Sequence, residues 1–141
     1  MIFVLEIFSD EWFKRFAISI NENVKYGEAA RDWEGDIILA IIGDEASRYL
    51  KSGMNKIVIL QLYHGKCYSI EFLNKIPQSY NVYVLEGKAS VWESILDGNL
   101  DVISGILSGS IGLTGNIGKL TKYIQAAREL VNSAKKIRME Y

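Results

Sequence analysis

The sequence predicts an α+β fold, a mixed α/β arrangement in which helices pack against a single, mainly antiparallel sheet. Three observations carry this. The middle of the chain holds successive β-branched runs separated by turn residues, at 36–42, 55–63, 67–73 and 80–85. The first 35 residues carry apolar side chains at helical spacing instead. The last third, from Val84 to about Lys136, runs strand end, short helix, short helix, thin strand, long helix. Strands grouped together and bracketed by helices define this class.

At 141 residues the chain is long enough for one domain with a core of its own. We read residues 1–141 as one domain. It has an N-terminal helical pair at 9–34, a sheet with two pocket helices at 36–115, and a C-terminal helix at 116–138. Hydrophobic residues make up 49% and charged residues 23%, a globular balance with no sign of disorder. A net charge of -1 gives no bulk attraction for nucleic acid, and none is expected as a partner. The single cysteine, Cys67, cannot close an internal disulfide. The N-terminus lacks a basic leader, and no apolar run nears the roughly 20 residues that span a bilayer. The C-terminus carries no peroxisomal or prenylation tripeptide. Together these predict a cytoplasmic location. Charge is unevenly spread. Residues 1–50 hold ten acids and five bases, whereas the last helix carries Lys119, Lys122, Arg128, Lys135, Lys136 and Arg138 against Glu129 alone until Glu140.

Ser9 followed by Asp10 and Glu11 reads as a helix cap with acids in the first turn, where the helix dipole favours them. Phe13, Phe16, Ala17, Ile20 and Val24 then share one face, with a bend at Asn21 or Asn23. A second helix places Tyr26, Ala29, Ala30 and Trp33 at i, i+3, i+4, i+7 and ends at Gly35. Residues 36–42 are apolar on both faces, which predicts a central strand. Residues 45–53 read as an edge strand or a short helix. Residues 55–63 and 67–73 form strands joined by a tight turn at Gly65. Pro77 belongs in a loop, and 80–85 is the next strand. A short helix surrounds Trp92, and Gly98-Asn99-Leu100-Asp101 breaks the chain before a second at 102–107. A glycine-spaced strand follows at 110–115, then a helix from Asn116 with its stripe at Ile117, Leu120, Ile124, Ala127, Val131 and Ala134. That stripe is too short for a coiled-coil seam, so packing on the sheet is its default role. Its basic outer face suits an anionic surface or head group, or simply solvent.

The residues that invite a chemical reading mostly fail its requirements. Gly109, Gly112, Gly115 and Gly118 are spaced by three, but Gly118-Lys119 is followed by Leu120 and preceded at five by Leu113. That is no phosphate loop, and no Gly-x-Gly-x-x-Gly occurs. The series reads as a strand with one face left open for a backbone or a ligand. His64 and Cys67 flank a turn with no third group to orient the imidazole, which opposes a Cys–His hydrolase. One histidine and one cysteine are too few for a zinc site. Trp33 reads as core, and Trp92 equally as core or pocket wall. Ile95, Leu96, Leu100, Ile103, Ile106 and Leu107 fall within thirteen residues interrupted by Gly98 and Gly105, a soft apolar segment able to gate a pocket or to sit capped in a core.

Several of these features agree in spacing. Val84-Leu85-Glu86-Gly87, Trp92, Gly98-Asn99-Leu100-Asp101 and Ser108-Gly109-x-Ile111-x-Leu113-x-Gly115, with the helix that follows, resemble the sterol carrier protein 2 family of lipid-transfer domains. The likeness covers about residues 80–125. The 63–67 hairpin and the Trp33-Glu34-Gly35-Asp36 entry into a strand look like variants of the same plan, and the match is weak before residue 55. The resemblance implies a five-stranded sheet and helices enclosing an apolar tunnel. It implies a fatty acid, acyl-CoA, phospholipid or sterol as ligand, no catalytic residues and no cofactor or metal. On that basis Trp92, Ile95, Leu96, Leu100, Ile103, Ile106, Leu107, Ile111, Leu113, Leu120 and Ile124 would line or gate the tunnel. Lys119 and Lys122, at the start of the last helix, would meet an anionic head. The absent peroxisomal tripeptide and the added N-terminal helical pair depart from eukaryotic carriers. The expected activity is non-enzymatic carriage of a lipid or acyl ligand, with transient contact to an anionic membrane. The alternative is an interaction module that uses the same apolar surface, for instance in a homodimer. A small hydrolase using Cys67 is the remaining reading.

Overall fold

The computed structural model describes residues 5–78 and 82–140. Helix α1 (Asp10–Glu22) starts where the cap predicts, with Ser9 Oγ accepting from the Trp12 amide at 3.2 Å. Asn23 ends α1 and starts α2 (Val24–Ala29), its Oδ1 accepting from the Tyr26 amide at 3.0 Å. One residue thus breaks the stripe read through Val24, which is 74% exposed. Helix α2 closes a turn earlier than expected. Ala30 caps it, and Trp33 lies beyond it in the approach to the sheet.

Five strands form one sheet: β1 (Asp36–Ile42), β2 (Lys56–Tyr63), β3 (Lys66–Leu73), β4 (Val82–Lys88) and β5 (Ile111–Thr114). Their spatial order is β3-β2-β1-β4-β5. Strand β1 is central, as its two-sided apolar sequence predicts. Ile37 and Ile41 are buried on the face the helices cover, and Ile38 and Ala40, pointing the other way, are fully buried too. The simple meander does not continue past β3. Strand β4 crosses to the free side of β1 and pairs with it in parallel, Ile38 opposite Val84, while the other three pairings are antiparallel. The expected strand at 80–85 is found from Val82 on, and Tyr80 and Asn81 lie outside the described residues. The β2–β3 turn holds both His64 (φ 48°) and Gly65 (φ 81°) in the left-handed region, the geometry that matches the twist of a tight hairpin.

Residues 45–53 are neither strand nor helix. They form a loop because polar side chains tie it down. Asp44 accepts from the Ser90 amide (3.0 Å) and hydroxyl (2.6 Å), capping α3 (Ala89–Leu96), whose own cap residue Lys88 makes no side-chain bond. Buried Glu93 accepts from the Ser47 hydroxyl and from the Arg48 amide at 3.0 Å. Helix α4 (Val102–Ser108) is capped by Asp101. The last helical stretch is not continuous. A short α5 (Ile117–Leu120) capped by Asn116 and a 3₁₀ turn (Thr121–Tyr123) precede α6 (Ile124–Glu140). The break turns the start of the stripe outward, with Ile117 60% exposed, whereas Leu120, Ala127, Val131 and Ala134 of the stripe keep facing the sheet and Ala126 and Ile137 are buried beside them. Helix α6 packs on α1, and Ser19 Oγ donates to the Ser133 carbonyl at 2.7 Å.

Candidate functional site

Between the helices and the sheet lies an apolar cavity of about 100 Å³. Its floor is one face of the sheet: Ile37, Leu39 and Ile41 of β1, Leu60 and Leu62 of β2, and Leu85 of β4. The period-2 alternation of strands brings these side chains to one face. Phe8 and the α1 aromatics Trp12, Phe13 and Phe16 wall one side. Trp92, Ile95 and Leu96 of α3, with Val102 and Ile106 of α4, wall another. The roof is α6, which presents Ala126, Ala127 and Ala134 beside Leu130 and Val131. Alanine at three roof positions leaves space that larger aliphatic groups would fill. Trp33, Leu120 and Tyr123 close one end, with the Tyr123 hydroxyl donating to the Asp32 carbonyl at 3.3 Å.

The expected pocket residues divide by position. Trp92, Ile95, Leu96, Ile106 and Leu120 border the cavity. Trp92 serves as wall and core together: it is 8% exposed, and its indole N–H donates to the Ala40 carbonyl at 3.3 Å. Ile111 is 1% exposed and packs beneath α4 without bordering the cavity. Ile103, Leu113 and Ile124 are half-buried and also outside it. Leu107 is 83% exposed, on the side of α4 turned away from the sheet. Leu100 borders a second cavity, of about 180 Å³, between α6 and the turn joining α3 to α4.

The two glycines read as softening this segment have other uses. Gly98 (φ 83°) follows the end of α3 and turns the chain. Gly105 is buried inside α4, where a Cβ would lie 3.3 Å from Ile111, so it permits close helix–strand contact. The residues missed from sequence were the sheet floor, the α1 aromatics and the α6 alanines. The aromatic face of α1 was visible as a stripe, but nothing local says which core stripes border a void.

Lys119 donates to the Glu34 carbonyl at 2.6 Å, and its ammonium lies 4.9 Å from the centre of the Trp33 ring. Lys122 is exposed and makes no side-chain bond among the described residues. His64 and Cys67 are separated by environment. His64 is exposed and bonds Glu34 at 2.7 Å. Cys67 is buried, its backbone N–H and C=O both bonded at 2.8 Å by the Asn21 amide, and burial pushes its thiol up to about 11. A thiol so protonated is a poor nucleophile. Burial, and then the nearby Cys67, also raise the Tyr26 phenol well above its ordinary value. Among the described residues no cluster of three or more His, Cys, Asp or Glu could hold a metal ion, and no helix is long and apolar enough to cross a membrane.

This architecture has solved counterparts. A crystal structure of sterol carrier protein 2 superposes with a TM-score of 0.80 at 31% identity, covering 93% of this chain and 98% of that one. The solution structure of a conserved hypothetical protein from Thermus thermophilus gives 0.78 at 30% identity, covering 95% and 91%. Apo sterol carrier protein 2 from Yarrowia lipolytica gives 0.59 at 15% identity over 94% and 96%, a likeness of fold alone. No family model and no curated protein sequence matches the chain. The chain belongs to the sterol carrier protein 2 family.

Proposed function

We propose that the protein is a non-enzymatic carrier that binds the hydrocarbon chain of a lipid or acyl ligand in the apolar cavity. The observation that carries this reading is the cavity lining. Its walls are aliphatic and aromatic, and among the described residues the only side-chain polar groups on them belong to Tyr26, Tyr123 and the indoles of Trp12, Trp33 and Trp92. Such a surface recognises a chain by burial, at about 0.8 kcal/mol per methylene, and offers no acid–base pair for chemistry. Membership of a carrier family supports the same reading.

The volume adds a condition. Sites for drug-sized ligands usually measure about 300–1,000 Å³. A cavity of about 100 Å³ is smaller, so a long chain enters by displacing wall side chains, and the closed fold is a partly collapsed form of the binding state. Titration calorimetry with straight-chain carboxylates of increasing length tests this. Affinity is expected to rise with each methylene until the expanded cavity is full. A protein that extracts no lipid and binds no chain of any length refutes the carrier reading.

A further inference from the structure

The second cavity lies back to back with the first. Three side chains, Ile95, Val102 and Val131, border both and form the partition between them. The walls differ in chemistry. On α6, Gln125, Arg128, Asn132 and Lys135 recur at spacings of three and four, so one polar face of the helix turns into this space. Asp101 stands opposite and spans it. The Arg128 Nε and Nη2 donate to its two carboxylate oxygens at 3.1 and 3.3 Å. Those bonds use two of the five guanidinium N–H groups. The Lys135 ammonium lies beside Gly98, 3.8 Å from where a Cβ there would be, and has no ion-pair partner among the described residues. A polar, cation-bearing vestibule is thus separated from an apolar cavity by three aliphatic side chains. If they part, the joined space nears the lower end of ordinary ligand sites.

We infer that this vestibule is the entry and head-group site for a single-chain amphiphile with an anionic oxyacid head, a fatty carboxylate being the simplest. The tail passes between Ile95, Val102 and Val131 into the apolar cavity, and Lys135 and Arg128 hold the head. The assignment rests on the carrier reading above and places the head away from Lys119 and Lys122. Lys119 is committed to the Glu34 carbonyl and the Trp33 ring, and Trp33, at that end, is only 3% exposed. Asp101 offsets the guanidinium's charge and competes with an anionic head for its N–H groups.

The test measures binding of decanoate and 1-decanol by titration calorimetry to the wild type, Lys135→Ala, Asp101→Asn and a Lys119→Ala/Lys122→Ala double variant. Circular dichroism melts confirm that each is folded. Asparagine at 101 keeps an acceptor for the α4 cap. One partly exposed charge contact corresponds to a change of up to about fivefold. Lys135→Ala is expected to weaken decanoate by about two- to fivefold and leave 1-decanol unchanged, and Asp101→Asn to tighten decanoate by a similar factor. Equal changes for both ligands overturn the head-group site while leaving chain binding intact. So does a carboxylate preference lost only in the Lys119/Lys122 variant. Failure of the wild type to bind either ligand overturns the carrier reading, and this site with it.

Discussion

A methyl group added at Gly43 would fall 2.0 Å from the Lys51 carbonyl oxygen and 2.3 Å from that of Met54. Both are backbone atoms of the loop held by Asp44 and Ser47, and neither can swing aside. Gly43→Ala should therefore cost about 2–3 kcal/mol, seen as a lower midpoint in urea, and an unchanged midpoint would show that the loop yields. Cys67 gives a chemical counterpart. With its thiol pushed up to about 11 by burial, iodoacetamide at pH 8 should leave the folded protein unlabelled by mass spectrometry and label it fully in guanidinium. Rapid labelling of the fold would mean the β3 start opens readily. Local rules made some single residues legible: Ser9 as a cap, and Gly65 as a turn residue. Gly43 was not legible as a contact, because the atoms it touches lie eight and more residues away and only the folded loop brings them back.

At the scale of elements, Asn23 is the joint between α1, α2 and α6. Its Nδ2 lies within bonding distance of the Glu129 carbonyl and carboxylate (both 3.2 Å) and the Ser133 hydroxyl (3.0 Å), while its Oδ1 caps α2. Asn23→Ala should lower stability by about 2 kcal/mol, more than a simple cap loss, as measured by chemical denaturation. The α6–α4 connection has a pH signature. The Arg128 guanidinium holds the Asp101 carboxyl below the usual carboxylate range. With the folded value below the unfolded one, the ionised group contributes stability above the ordinary carboxylate range and loses that contribution as pH falls through the depressed value. Arg128→Ala should flatten this part of the acid limb, and acid titrations followed by tryptophan fluorescence would reveal an unchanged limb if the pair contributes nothing. Element types followed from periodicity, and β1 matched its expected bounds. Helix α2 ended early, and the last stripe lost Ile117 at its start while keeping Leu120, Ala127, Val131 and Ala134, because Asn23, Asn116 and the 3₁₀ turn act on two or three residues while the apolar spacing runs on past them.

At the scale of the molecule, the sheet order was the part hidden from the sequence. The residues of β4 carry the same alternation whether they pair with β3 or with β1, and the choice depends on closing the sheet under the helices. The cavity was hidden for a related reason. Trp92 and Ile95 were legible as candidates, whereas the void depends on alanines of α6 meeting leucines of β1 and β2 from across the chain. Filling it separates two properties. Ala127→Leu should leave the melting temperature unchanged or raise it, with a gain of up to about 1 kcal/mol, while weakening decanoate at least about tenfold. Intact binding would move the chain elsewhere in the molecule.

The cavity also has a place in time. Its floor is complete once β1, β2 and β4 have paired, but its roof is α6, which bonds back to α1 across 114 residues through Ser19 and Ser133. During synthesis the sheet leaves the ribosome before its cover. The last element to be made is thus the one that shuts the apolar floor from water, and a chain cut before Ile124 should expose that floor to a hydrophobic dye.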